Sequence, residues 1–322
     1  MGWKGTLRSV NAAVRAAERE SQRRHKQHIK ELEIAEAEDA VGDWKDYIHD
    51  LISIHANAAD DIDWTAITNK PQPKEPVRSN HRELQAQAKL EAFAPGFFDF
   101  LSGGSEKRRE ALVQAVASAS QADEEEYSEA CSKHARAFSD WQSDTALAER
   151  LLKGDVAAKR DVIGEFQSLT SESWIGSEVV FRINEEWLHG VVTVHTDEVV
   201  PNYRRKQLAS GRLSETKMPV GEFNELYQDY VCSVALKVAG DLFGLLPDNE
   251  VFVTCRTLML NTKTGHQEQT PILSVQFVRE TYRRLNLAGI DPSDSLTNFN
   301  HNMAFKRTKG FVEIEPLKPI DT

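Results

Sequence analysis

The sequence predicts an α+β protein: a long antiparallel helical hairpin or coiled coil, followed by a small mixed α+β domain with an antiparallel sheet in the order ββαββα. Three observations predict it. Residues 6–58 contain no Pro and a single Gly, Gly42, amid Ala, Glu, Arg, Lys and Gln, the composition of a continuous helix. Residues 105–153 contain neither Pro nor Gly and repeat apolar positions at steps of three and four. From Trp174 onward the texture changes to β-branched alternation broken by turn residues. The boundary is expected at residues 169/170, with residues 1–169 helical and 170–322 forming the α+β domain.

The first helix would be on the order of 75–80 Å long at ~1.5 Å per residue. Its apolar stripe is discontinuous: Leu7, Val10 and Val14 mark one face, residues 18–28 are almost wholly polar, and Leu32, Val41, Trp44, Ile48, Leu51 and Ile52 resume a face. Residues 68–80, TNKPQPKEPVRSN, read as an extended linker, because each Pro lacks a donor and pushes its predecessor out of helical geometry. A short helix follows from His81, and then Pro95 to Leu101 forms an apolar turn whose Phe97, Phe98 and Phe100 are expected to enter a core. The seam of the second long helix runs through Leu112, Val116, Ala119, Ala122, Tyr127, Ala130, His134, Phe138, Trp141 and Leu151. That seam calls for an antiparallel partner, and the N-terminal helix is the expected one. A further helix spans Asp155 to Leu169.

In the last part, Ser177–Ile183 and Leu188–His195 read as a strand pair. Tyr203–Lys217 reads as a basic loop, and Pro219–Leu246 as an amphipathic helix stopped by Pro247. Val251–Leu260 and Ile272–Val278 flank Asn261-Thr262-Lys263-Thr264-Gly265, a hairpin signal. Short helices near Arg279 and Asp291 and a closing strand at Phe311–Ile314 complete the chain.

Charge is polarised. The formal net charge is −11. Yet residues 1–30 carry eight basic side chains against Glu18 and Glu20, and residues 31–69 carry eleven acids against Lys45. A net acidic total therefore does not exclude a polyanionic partner. No run of about 18 apolar residues exists, so a membrane span is not expected. The N-terminus lacks the apolar core of a secretory signal, and Cys131, Cys232 and Cys255 are isolated; a reduced, cytoplasmic protein without disulfides is the reading.

Candidate chemistry is sparse. His189 and His195 are six apart on a predicted strand, and His266 lies in the neighbouring turn; imidazole is a zinc ligand, but no carboxylate or cysteine spacing joins the three, and no metal or other cofactor is expected. Asp248 after Pro247, with Lys263 beyond the next strand, resembles the acid and lysine of PD-(D/E)xK nucleases, but Asn261 stands where the second magnesium-binding carboxylate belongs. No GxxxxGK[ST], GxGxxG or GxSxG motif occurs. Basic residues form three groups: a helical stripe, Arg15, Arg19, Arg23, Lys26 and Lys30; a first loop, Arg204, Arg205, Lys206, Arg212 and Lys217; and a second, Lys306, Arg307 and Lys309. Each could meet phosphates or pair with the chain's own acids.

The N-terminal run MGWKGTLRS, together with PILSV from Pro271, DPSDS from Asp291 and the following NFNHNMAFKRTKGF, resembles a family of uncharacterised bacterial proteins with a charged N-terminal helix. The resemblance implies a bacterial cytoplasmic protein and the same order of helical and α+β parts, and transfers no catalytic residue. The expectation is a non-enzymatic interaction or scaffold protein, docking or self-associating through its helical region. The alternative is a nucleic-acid-binding or degenerate nuclease-like component of a bacterial defence system.

Overall fold

The computed structural model describes residues 3–58, 60–94, 104–169 and 178–318, with side chains left out at 3–26, 29 and 166–169. The expected burial of Phe97, Phe98 and Phe100 and the side chains of Arg15, Arg19, Arg23 and Lys26 lie outside the described residues. The chain packs as two compact units, one of residues 63–155 and one of residues 1–62 with 156–322. This division departs from the boundary expected at 169/170, because the C-terminal third of the first helix packs with the β-structure rather than standing apart.

The smaller unit is built on α4 (Gly104–Leu152), 49 residues long. Gly154, at φ +79°, ends it, with the Gly154 N–H on Leu151 O and the Asp155 N–H on Arg150 O. This left-handed cap is one that a side chain would strain. A short helix, α2 (Trp64–Thr68), an extended strap and α3 (His81–Glu91) run antiparallel along α4. Trp141 Nε1 donates to Lys70 O at 2.8 Å, His134 Nε2 lies 3.2 Å from Pro73 O, Arg78 pairs with Glu124, and Ser120 donates to Glu83 at 3.2 Å. The seam positions thus have a partner, but within the unit it is a strap and a short helix rather than a second long helix. The stretch expected to be an extended linker is also bound, its carbonyls taking side chains of α4. His134, Phe138 and Trp141 form an aromatic ladder beneath it, with centroids 6.1 and 5.7 Å apart. Such a flat apolar floor with an indole donor suits an extended Pro-rich segment.

In the larger unit, α1 (Trp3–Ile52) leads into a 3-10 turn at Ile54–Asn57. α5 (Val156–Leu169) precedes a six-stranded sheet ordered β1 (Glu178–Ile183), β2 (Leu188–Thr193), β5 (Glu250–Leu260), β6 (Gln267–Val278), β7 (Asn300–Lys306), β8 (Gly310–Val312). The sheet is mixed, not purely antiparallel: β2 pairs parallel with β5, His189 opposite Phe252, and the crossover is α6 (Val220–Leu245). Between β2 and α6 lies a separate ribbon, β3 (Tyr203–Gln207) with β4 (Leu213–Lys217), where a loop was expected. The closing strand is a hairpin, β7 with β8. α7 (Arg279–Arg283) and α8 (Pro292–Ser295) lie between β6 and β7.

α6 is the core of this unit: every residue from Tyr230 through Gly244 is buried. One side lies on the sheet, where Cys255 Sγ reaches Val231 O at 3.8 Å. The opposite side is overlain by residues 53–58 and 60–62. There the His55 N–H donates to Ser233 Oγ at 3.1 Å, Ile62 N–H donates to Gly244 O at 2.8 Å, and a Cβ on Gly240 would stand 2.6 Å from that of Ala58. A helix buried all round must satisfy its polar side chains locally. Lys237 and Asp241, one turn apart and 5% and 7% exposed, do so against each other at 2.8 Å. Among the described residues no helix is long and apolar enough to cross a membrane.

Candidate functional site

The chemistry-bearing residues fall into three places in the larger unit. The first is the C-terminal end of α6. Asp248 Oδ1 meets Lys159 Nζ of α5 at 2.5 Å, side chains 16% and 10% exposed, while Oδ2 is buried without a hydrogen bond. Beside them Arg279 donates Nε to Asp248 O and one terminal nitrogen to Phe243 O, each at 2.7 Å, and the other to Leu246 O. Its guanidinium also lies over the Phe243 ring at 4.9 Å. A planar five-donor cation thereby covers carbonyls that a helix end leaves without partners. Burial lowers the Arg279 pKa, and Asp61 and Asp248 act against that shift. Lys263 is not in this cluster: it sits exposed in the β5–β6 turn, at the far end of an 11-residue strand spanning ~35 Å. The Asp248–Lys263 pairing is therefore overturned; Asp248 serves an ion pair that ties α5 to the α6–β5 junction.

The second place is the sheet face turned away from α6. His189 Nε2 lies 2.8 Å from Thr254 Oγ1, which lies 2.8 Å from Ser274 Oγ, which accepts the Leu317 N–H at 3.0 Å. This polar chain crosses three strands and is fully buried, so it orders the sheet and is out of reach of a substrate. His195 lies past the end of β2, its backbone N–H on Tyr230 Oη and its carbonyl taking Tyr227 Oη, and His266 is exposed in the β5–β6 turn. The three histidines do not converge, and among the described residues no group of three or more His, Cys, Asp or Glu is placed to hold a metal.

The third place is the N-terminal half of α6. One arginine from each basic loop group comes to it. Arg204 of β3 pairs with Glu222 at 3.0 Å, and Arg307 of the β7–β8 turn pairs with Glu225 at 2.7 Å while its side chain crosses Gly221. Arg205 meets Glu215 across the ribbon at 3.1 Å and stacks over Tyr203. Lys206, Arg212, Lys217, Lys306 and Lys309 are exposed and outside ion pairs among the described residues, as is Lys30 on α1. The ribbon is seated on α1: Trp44 Nε1 donates to Tyr203 O at 3.2 Å, Gln207 donates to Ile34 O at 3.0 Å, and Gly211 lies against Ile34.

Next to this end of α6 lies a cleft of about 150 Å³ between residues 196–197, α6, the distal part of β5 and the β7–β8 turn. Tyr227 and Phe311, edge to face with centroids 5.7 Å apart, line it together with Met259; Asn224, Asp197 and Lys309 stand at its rim. Burial raises the Tyr227 pKa well above that of a free phenol, so the hydroxyl stays protonated as the donor to His195 O. Sequence reading missed this cleft because its residues come from four separated segments; a signal in retrospect is the exposed pair Leu258 and Leu260 at strand spacing. It also missed Arg279, whose partners lie more than thirty positions upstream.

Comparison with protein-family models, with curated proteins and with solved structures finds no match.

Proposed function

We propose that this chain is a non-enzymatic interaction protein: its helical region, read as an antiparallel hairpin or coiled-coil rod, docks or self-associates, and its α+β unit recognises a partner. The observation that carries this reading is that two helices of about fifty residues each present exposed stretches among their described side chains. On α1, residues 27, 28 and 30–33 are exposed, and Ile34 is the point at which Gln207 of the ribbon binds. Within its unit α4 is covered along the stripe from Leu112 to Trp141, and Asp123, Ala148 and Leu151 are its buried residues. Helical stability in water comes mainly from packing an amphipathic face, so helices of this length call for a partner along them. The test is the mass of the full chain by light scattering as a function of concentration, alone and with candidate partners, for wild type and for Val113→Glu with Ala117→Glu on the exposed part of α4. Association that the double change weakens at least tenfold supports the proposal; a chain that stays monomeric, binds nothing and turns over a substrate overturns it.

A second reading, nucleic-acid binding, is favoured by one observation: Arg204 of the β3–β4 ribbon and Arg307 of the β7–β8 turn come to the same end of α6. If phosphates lie there, single- or double-stranded oligonucleotide binding falls steeply with salt, by about one counterion per contact in the log–log slope. Changing Arg204, Arg205 and Lys206 together to Ala lowers that slope. Absence of binding at low salt removes the reading.

A further inference from the structure

β5 is longer than its parallel neighbour. β2 pairs with it from His189↔Phe252 to Thr193↔Arg256, the Val194 N–H reaches Arg256 O, and the chain then turns away into the 3-10 turn at Asp197–Val199. On its other side β5 stays paired with β6 out to Leu260↔Gln267. Among the described residues the last residues of β5 therefore have one edge without a paired strand, in the lane that β2 leaves. Two hydrogen bonds fix which groups line it. Arg256 O points into that lane, and Asn261 N–H points the other way, to His266 O. With the alternation of a strand, the N–H and C=O of Leu258 and Leu260 face the open lane. Their side chains are 43% and 63% exposed, while Thr257 and Met259 alternate to the opposite face; both line the cleft of about 150 Å³ with Tyr227 and Phe311, and Leu258 borders it too.

Edges of this kind are normally defended by charge, proline or a covering element. Thr257-Leu258-Met259-Leu260 carries neither charge nor proline. The feature is also small. Four residues of edge and a cleft the size of one aliphatic side chain fall well short of the ~1,600 Å² that a stable pair of folded proteins buries, which argues against a second copy and for a short peptide. We propose that the distal edge of β5 is a docking site for an extended, proline-free peptide segment of a partner protein, which adds as a strand in the lane vacated by β2. Alternate side chains of the peptide would cover Leu258 and Leu260, and one aliphatic side chain between them would enter the cleft. Main-chain pairing supplies the binding and the cleft supplies the selectivity. This inference does not rest on docking through the helical region, and either can fail alone.

The probe is a phage-displayed library of random heptapeptides selected on the full chain, followed by anisotropy measurements on the best synthetic peptide. Expected are proline-free sequences with apolar residues at every second position. Two N-methylated versions of that peptide, methylated at even or at odd residues, then distinguish edge pairing from other contacts without altering the protein. One pattern should weaken binding more than tenfold and the other should leave it within about threefold. Thr196→Trp, which fills the cleft, should weaken the parent peptide at least tenfold, with folding checked by circular dichroism. No enrichment, equal effects of the two methylation patterns, or unchanged affinity for Thr196→Trp would each overturn the proposal. So would a concentration-dependent doubling of mass that the peptide reverses, which would assign the edge to a second copy.

Discussion

Asp229 sits on α6 with Asp291, Asp294 and Glu225 around it and the Ser293 hydroxyl at hand. Burial first, then the neighbouring acids, raise its pKa to about 6 against the Ser293 hydrogen bond. A carboxyl whose folded pKa exceeds its unfolded value binds its proton more tightly when folded. Protonation therefore adds stability as pH falls through 6 toward 3.8, and the ionised form costs stability above 6. Asp229→Asn should stabilise the larger unit at pH 8 by about 1–2 kcal/mol, the full shift being discounted for partial exposure. The gain should fade by pH 4, and urea unfolding at pH 8, 6 and 4 checks it; a gain independent of pH would locate the effect elsewhere. Other residues show where sequence reasoning ran out. Pro247-Asp248 was legible as a helix stop followed by an acid, but its partner Lys159 lies on α5 and shares no local pattern with it. The Arg279 role is similarly invisible, since nothing in VRETYR announces that the guanidinium closes a helix ending near Leu246.

Among elements, the strap over α4 makes the sharpest expectation. Trp141→Phe keeps a ring in the aromatic ladder and removes the indole donor to Lys70 O, at a cost of ~0.5–1.5 kcal/mol. Because the strap is held by a handful of contacts, that loss should appear as local release: trypsin cleavage after Lys74 and Arg78 should speed up about two- to tenfold. Unfolding of the sheet-bearing unit, followed separately, should not change. The helices were legible because Ala, Glu and Lys stretches without Pro or Gly leave little alternative, and the 261–265 turn announced β5 and β6. β3 and β4 were not, for a physical reason. YRRKQ and LSETK carry polar side chains toward both faces, so the period-two signal that marks a half-buried strand is absent. The three prolines of the strap told that it is not helical, but not that it is bound, because the groups that hold it belong to α4.

At the scale of the whole molecule, α+β character and the order of long helix and sheet follow from composition, whereas the division into units does not. Contact between α1 and the β3–β4 ribbon joins positions such as Trp44 and Tyr203, 159 apart. The pieces of the candidate surface are similarly scattered: Thr196, Tyr227, Met259 and Phe311 come from four separated segments and meet only in the folded unit. Within the acidic 31–69 region, Glu33 and Glu36 lie beside Arg212 of the ribbon, Asp63 caps α2, and Asp61 takes Arg283 at 2.6 Å.

One covalent stretch, residues 53–80, lies first on α6 and then on α4, and the unit of residues 63–155 is inserted between the two halves of the other. This nesting sets an order of events during synthesis. The strap and α4 are neighbours in sequence and can close as soon as α4 emerges. Residues 53–62 must instead wait until α6 has been made, from Ile62 to Leu245, which at about 5–20 residues per second takes roughly 10–40 s. Throughout that interval Ile54 and the uncapped polar backbone around His55 have no site to fill, so the nascent chain carries an unpaired segment that later seals the core.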